Sequence, residues 1–259
     1  MSPRENISAA IRAAAAQGSP ALVAFLTAGC PTRESFRAQL QSVASGADVI
    51  EIGVPFTDPM ADGVTIQRSS HVALGQGVSL RWILSELEAM PPVKTPLLLM
   101  SYLNPLLAFG LERLAQACVR SRVAGLIVPD LPSEESAELR EVLDARQLAL
   151  VQMVTPVTPV DRLRRISLSS QGFVYAVTMT GTTGQSVALP PETAAYLDAV
   201  RAAAAVPVCA GFGIRSRQQI QLLAGHVDGV VIGSALVELL ERGEDPAQWL
   251  RALRAPARS

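Results

Sequence analysis

The sequence is short of the residues on which several kinds of chemistry depend. Its 259 residues include a single lysine, Lys94, against 21 arginines, and only two histidines, His71 and His226. A Schiff-base or pyridoxal enzyme needs a well-placed lysine, and a zinc aldolase draws its ligands from several histidines. Neither mechanism is easily built here, so no cofactor and no metal are expected. The three cysteines, Cys30, Cys118 and Cys209, are too scattered for a disulfide framework or a metal knuckle. Each reads as a plain small side chain. A formal net charge of −1 gives no electrostatic case for nucleic acid or an anionic membrane surface. No apolar run is long enough to span a bilayer. The opening stretch "MSPRENISAAIRAAAAQG" reads as an amphipathic helix, without a signal-peptide core. A cytoplasmic protein is the expectation.

What the chain does contain is apolar matter in a regular order. It is 49% hydrophobic and 17% charged, ample for a large core. Eight short β-rich runs recur: Leu22–Thr27, Val49–Ile52, Leu97–Ser101, Gly125–Val128, Leu148–Met153, Phe173–Val177, Val208–Ala210 and Gly229–Ile232. They read as strands buried on both faces, as in a parallel sheet. Amphipathic stretches separate them. In "PTRESFRAQLQSVASG", Phe36, Leu40 and Val43 share a face and Thr32 is the expected N-cap. In "PSEESAELREVLDARQ", Leu139, Val142 and Leu143 do the same, with Ser133 as cap and Glu134 and Glu135 in a first turn that favours acids. Further helical patterns cover Trp82–Met90, Leu111–Val119, Val160–Ile166, Glu192–Ala205, Ser216–Leu223 and Ala235–Leu240. Eight such alternations predict a single (β/α)8 TIM-barrel domain over residues 1–259, with additional helices at the N-terminus and around Ile66–Gly75. The alternative, a doubly wound open sheet, wants a glycine-rich turn after the first strand, and "FLTAGCPT" is not one.

In such barrels the reactive groups gather at the C-terminal ends of the strands and in the loops that follow. Strand 2 ends on Glu51, and its loop carries Asp58 and Asp62. A strand-end glutamate in an apolar mouth has a raised pKa, which suits it to moving a proton near neutrality. Asp62, on a loop, could stay ionised and accept a hydrogen bond from a substrate N–H. Opposed to this stands the plainer reading, in which Glu51 pairs with an arginine and the two aspartates shape a turn. Asp130 reads as a loop-fixing group, and His71 and His226 as surface side chains. "GFGI" after strand 7 and "IGSA" after strand 8 expose backbone N–H groups where this fold holds phosphates, and Gly233-Ser234 also opens a helix. With Gly181 and Gly184 after strand 6, these glycines point to a phosphorylated substrate rather than to tight turns alone.

The segments "FLTAGCPT", "GADVIEIGVPFTDPMADGVTIQ", "SYLNPL", "GLIVPDLPSEES", "GFVYAVTMTGTTG", "VPVCAGFGI" and "DGVVIGSA" follow one another in order. Together they resemble the tryptophan synthase alpha chain over nearly the whole length. The resemblance implies a carbon–carbon lyase of tryptophan biosynthesis, performing retro-aldol cleavage of indole-3-glycerol phosphate to indole and glyceraldehyde 3-phosphate. It implies Glu51 as general acid/base and Asp62 as the carboxylate that holds the indole N–H. Tyr175 resembles the family's active-site tyrosine, Phe25 and Phe212 would wall the indole pocket, and Thr183 would bond the aspartate of the second-strand loop on closure. Gly184, Gly213, Gly233 and Ser234 would hold the phosphate. A pyridoxal-dependent beta chain in an alpha2-beta2 tetramer is the implied partner, faced by Asp58 and Asn104-Pro105. Three residues depart from the family pattern: Cys30 for Asp, Val64 for Pro, and Met179 before the glycine-threonine loop. Val64 and Met179 fall on the loops expected to close. The alternatives are a stand-alone indole-3-glycerol-phosphate lyase of a specialised pathway, a non-catalytic activator of a beta-type subunit, and a barrel isomerase of sugar phosphates.

Overall fold

The structure, a computed structural model, describes residues 1–178, 189–211 and 213–254. Eight parallel strands run in sequence order around a closed barrel: β1 (Ala21–Thr27), β2 (Val49–Gly53), β3 (Leu97–Met100), β4 (Val123–Ile127), β5 (Ala149–Val154), β6 (Val174–Val177), β7 (Val208–Gly211) and β8 (Gly229–Ile232). β8 pairs back onto β1 through Ala21↔Gly229 and Val23↔Val231. Closure removes the open-sheet alternative. The helices among the described residues are α1 (Pro3–Ala15), α2 (Phe36–Ala44), α3 (Val64–Gly75), α4 (Leu80–Ala89), α5 (Leu103–Phe109), α6 (Leu111–Arg120), α7 (Ala137–Asp144), α8 (Val160–Ser169), α9 (Pro191–Ala203), α10 (Arg217–Leu223), α11 (Ser234–Glu241) and α12 (Pro246–Arg254). None is long and apolar enough to cross a membrane.

Two apolar layers hold the fold. The outer one lies between strands and helices and takes the even-numbered residues Leu22, Ala24 and Leu26 of β1 with Phe36, Leu40 and Val43 of α2. The inner one fills the barrel with Val23, Val49, Leu98, Val151, Phe173, Cys209 and Val231, and includes Ile7, Ile11 and Ala14 of α1. Helix α1 therefore closes the N-terminal end of the barrel. Its start is fixed by a capping box, in which Ser2 Oγ accepts from the Glu5 amide and Glu5 Oε2 accepts from the Ser2 amide. Ser8 Oγ then donates to the Gly172 carbonyl at 2.6 Å, tying the helix to the chain just before β6.

Several local expectations are corrected. Thr32 does not cap α2. Its hydroxyl accepts from the Ser35 amide, and Ser35 is the residue before the helix, because a turn intervenes. Likewise Ser133–Glu135 form a 3-10 turn, and α7 starts after Ser136, whose hydroxyl donates to the Ser133 carbonyl at 2.8 Å. Glu134 is thereby outside the α-helix and pairs with Arg162 of α8 instead. Helices α5 and α12 were not foreseen. The cysteines are free and buried, as a packing role requires. His71 is exposed on α3, while His226 bonds Asp198 at 2.8 Å in a half-buried turn.

Candidate active site

Side chains two residues apart on a strand share a face. Stepping up from the inner core layer, Val23 leads to Phe25, Val49 to Glu51, Leu98 to Met100, Val151 to Met153, Phe173 to Tyr175 and Val231 to Gly233. That next layer is the bottom of a cavity of about 670 Å³ at the C-terminal mouth. Its lining includes Phe25, Glu51, Asp62, Tyr175, Gly213, Gly233 and Ser234. Seven of the ten sequence-derived site residues are thus brought together; Thr183, Gly184 and Phe212, like Met179 and Gly181, lie outside the described residues.

Glu51 is the chemical centre of this arrangement. It is in register with Phe25 on β1 and Leu98 on β3, fully buried, and neither carboxyl oxygen has a hydrogen-bond partner among the described residues. No described arginine supplies the partner that the plainer sequence reading allowed. Burial alone pushes its pKa up to about 8. A carboxyl group in that state is protonated at neutrality and faces a cavity with nothing to bond, which is the condition of a proton donor awaiting a substrate.

Asp62 sits on the loop between β2 and α3, half-buried at the mouth. Burial raises its pKa, and the Tyr102 hydroxyl against it pulls the other way. That hydroxyl also accepts from the Ala61 amide at 2.9 Å, and the Tyr102 ring stacks on Phe56 at 5.0 Å. Tyr102 is therefore the post that holds the Asp62 loop. The sequence shows it only as a polar residue at the end of strand 3, with no sign of its partner. Asp130 fixes a loop as expected, accepting from the Leu103 amide at 2.9 Å at the start of α5.

The two aromatic walls need two glycines. A Cβ on Gly53 would sit 2.4 Å from Phe25 Cζ, and one on Gly211 would sit 2.4 Å from Tyr175 Oη. Only hydrogen at these positions lets the rings lie across the barrel mouth. Burial raises the Tyr175 pKa well above its ordinary value, with a further push from Glu51, so the phenol stays neutral beside the carboxyl group.

Past Phe25 from Glu51, beyond the ends of β8 and β7, the lining turns to backbone. Gly213 has φ +74°. Gly233 precedes α11, and no side chain caps that helix. The Leu236 and Val237 amides bond back to the Gly233 carbonyl, while Ser234 and Ala235 at the helix start line the cavity. Uncapped first-turn amides at a helix N-terminus attract an anion. Among the described residues no cluster of three or more His, Cys, Asp or Glu side chains is placed to hold a metal.

Residues 11–258 match the family model of the tryptophan synthase alpha chain. The chain is 44% identical over 244 residues to the tryptophan synthase alpha chain of Nitratidesulfovibrio vulgaris strain Hildenborough, covering 93% of this chain and 95% of that one. It is 43% identical over 248 residues to that of Bacillus mycoides, covering 94% and 96%. The chain belongs to the tryptophan synthase alpha chain family. Its fold is that of solved members: the Legionella pneumophila alpha subunit superposes with a TM-score of 0.84 at 31% identity, covering 96% of this chain and 97% of that one. A chain of Mycobacterium tuberculosis tryptophan synthase superposes with a TM-score of 0.87 at 33% identity, covering 95% of each. Tryptophan synthase alpha chains are lyases that cleave indole-3-glycerol phosphate, and they work with a beta chain. That is the activity of this chain's family, and its reaction fits an apolar cavity lined by a carboxyl group and by backbone amides.

Proposed function

We propose that the chain, acting as one barrel domain, cleaves indole-3-glycerol phosphate with Glu51 as the group that moves the proton. The observation that carries this is the buried Glu51 carboxyl, which lines the cavity and has no hydrogen-bond partner among the described residues. The phosphate end of the substrate lies on Gly213, Gly233 and Ser234, and the indole lies between Phe25 and Tyr175. Glu51 gives its proton to indole C3, which makes the ring an iminium-like electron sink. Asp62 accepts the indole N–H and stabilises the positive ring. The substrate hydroxyl next to the scissile bond then loses its proton to the Glu51 carboxylate. Its O–H electrons form the aldehyde C=O, and the C–C bonding pair returns to the ring. Indole and glyceraldehyde 3-phosphate leave, and Glu51 is protonated again. Lysine and zinc are not required, because protonation at C3 supplies the electron sink. General acid–base assistance of this kind contributes about 10²–10⁴-fold; substrate positioning supplies the rest.

The finer reading of the partner is an alpha2-beta2 tetramer with a beta chain seated over the barrel mouth. Met60 on the Asp62 loop and Val64, which opens α3 and is not in the loop as the sequence suggested, are 86% and 80% exposed, an apolar edge beside the cavity suited to a protein partner. The deciding assay is indole release from indole-3-glycerol phosphate, with and without a beta chain, for the wild type and Glu51→Gln. Loss of release in the variant, with stimulation of the wild type by the beta chain, supports both parts. Equal release by both proteins removes Glu51 as the acid, and full wild-type turnover alone favours a stand-alone lyase.

A further inference from the structure

Three segments that line the cavity converge on one carboxylate outside it. Glu238 lies on α11, one turn below the Gly233–Ala235 start of that helix. Its Oε2 accepts from Arg215 Nη1 at 2.7 Å, and its Oε1 accepts from Arg215 Nη2 at 3.0 Å and from Thr65 Oγ1 at 3.0 Å. Arg215 stands two residues after Gly213, and Thr65 three residues after Asp62, in the first turn of α3. One turn further down both helices, Arg68 of α3 donates to Glu241 of α11 at 2.5 Å. The pairs Thr65–Glu238 and Arg68–Glu241 thus hold α3 and α11 in a fixed register.

The energetics separate a local role from a global one. The Arg215 side chain is 52% exposed, and ion pairs at that exposure add little to overall stability. Their geometric effect is another matter, because each bond restrains a short segment that carries site groups. Hydrogen bonding from Arg215, and then from Thr65, holds the Glu238 carboxyl down at about 2, so it is ionised throughout the neutral range.

We propose that Glu238 is a positioning residue for the reaction: it fixes the Asp62 segment and the Gly213–Arg215 segment against the start of α11, and so keeps the indole-facing and phosphate-facing ends of the site at their working separation. This rests on the assignment of those two ends made above. Misplacing a reacting group by about 1 Å costs up to ~10²-fold in rate, so a residue with no contact to substrate can still matter to turnover.

The test is the indole-release assay on the full chain, with a beta chain present in every arm, together with thermal melts. Glu238→Ala is expected to lower kcat/KM by about 10–100-fold while the melting temperature stays within about 2 °C of wild type. Arg215→Gln should act mainly on KM, through the phosphate end. Thr65→Val should act mainly on kcat, through Asp62. The double variant Thr65→Val/Glu238→Ala should be no worse than Glu238→Ala, since both act through one tie. Wild-type efficiency in Glu238→Ala, losses that multiply in the double variant, or a loss that only tracks the unfolded fraction would each overturn the proposal. A wild-type chain that released no indole would remove the functional reading first, and this inference with it; active wild type with unaffected variants would remove this inference alone.

Discussion

At the N-terminal end of the barrel, α1 drives Ile7 and Ile11 into the core, both with no exposed surface, against Val23, Val49 and Phe173. At the C-terminal end, one side-chain layer up the same strands, Val49 is followed by Glu51 and Phe173 by Tyr175. The floor satisfies its groups: the Ser8 hydroxyl has the Gly172 carbonyl, and Ser2 and Glu5 cap each other. Among the described residues, the mouth leaves a carboxyl group without a partner and a helix start without a side-chain cap. Buried polar groups are normally bonded, so the comparison separates a region built for stability from one that holds bonding capacity in reserve for a ligand.

The largest expected effect tests the mouth. Glu51→Gln keeps the volume and removes the acid, so indole release should fall by about 10²–10⁴-fold, with an unchanged far-ultraviolet circular dichroism spectrum. Retained activity would erase the distinction between the two ends. The next effect tests the floor. Ile7→Ala should destabilise the fold by about 2–4 kcal/mol, read from urea unfolding, while kcat of the folded fraction stays at the wild-type value. If kcat fell with stability, the floor would be part of the catalytic apparatus. Gly211→Ala probes the join between the layers. Its new Cβ must displace the Tyr175 ring, so kcat/KM should drop about tenfold or more, with a smaller loss of stability than in Ile7→Ala.

A further difference is a dependence on pH. Folding raises the Glu51 pKa from 4.5 to about 8, so the folded state holds more protons than the unfolded state between those values. Stability therefore falls as pH rises across that window. In Glu51→Gln this fall should flatten, as measured by urea midpoints at intervals from about pH 5 to pH 8. The same ionisation should reduce wild-type kcat/KM for indole release above about pH 8, because the proton donor is then lost. Identical slopes for wild type and variant would mean that Glu51 does not titrate with a raised pKa.

Much of this comparison was legible in the sequence, for a physical reason. A parallel strand buried on both faces shows as an unbroken apolar run, and each of the eight runs became a strand with ends displaced by no more than two residues. A charged residue in such a run is conspicuous, and Glu51 stands out for that reason, although it is the middle residue of β2, which runs on to Gly53, and not its end. Helix α5 was hidden by Asn104-Pro105, which reads as a loop although proline is tolerated in a helix's first turn. Thr32 and Ser133 looked like caps because the sequence does not show that a turn can precede the helix. Whether Glu51 had a partner was also unreadable, since any of 21 arginines was free to supply one. The ties through Tyr102 and Glu238 join residues 41 and 173 positions apart, and only folding brings them together.

The α1 stopper has a consequence for traffic. With the barrel packed from Ile7 up to Tyr175, the described residues leave no back door along its axis. Substrate must enter and both products must depart by the same opening. Whatever body lies across that opening decides whether a freed indole is handed on or escapes into water. The fate of the product is thus settled at the rim, above the place where the bond is cut.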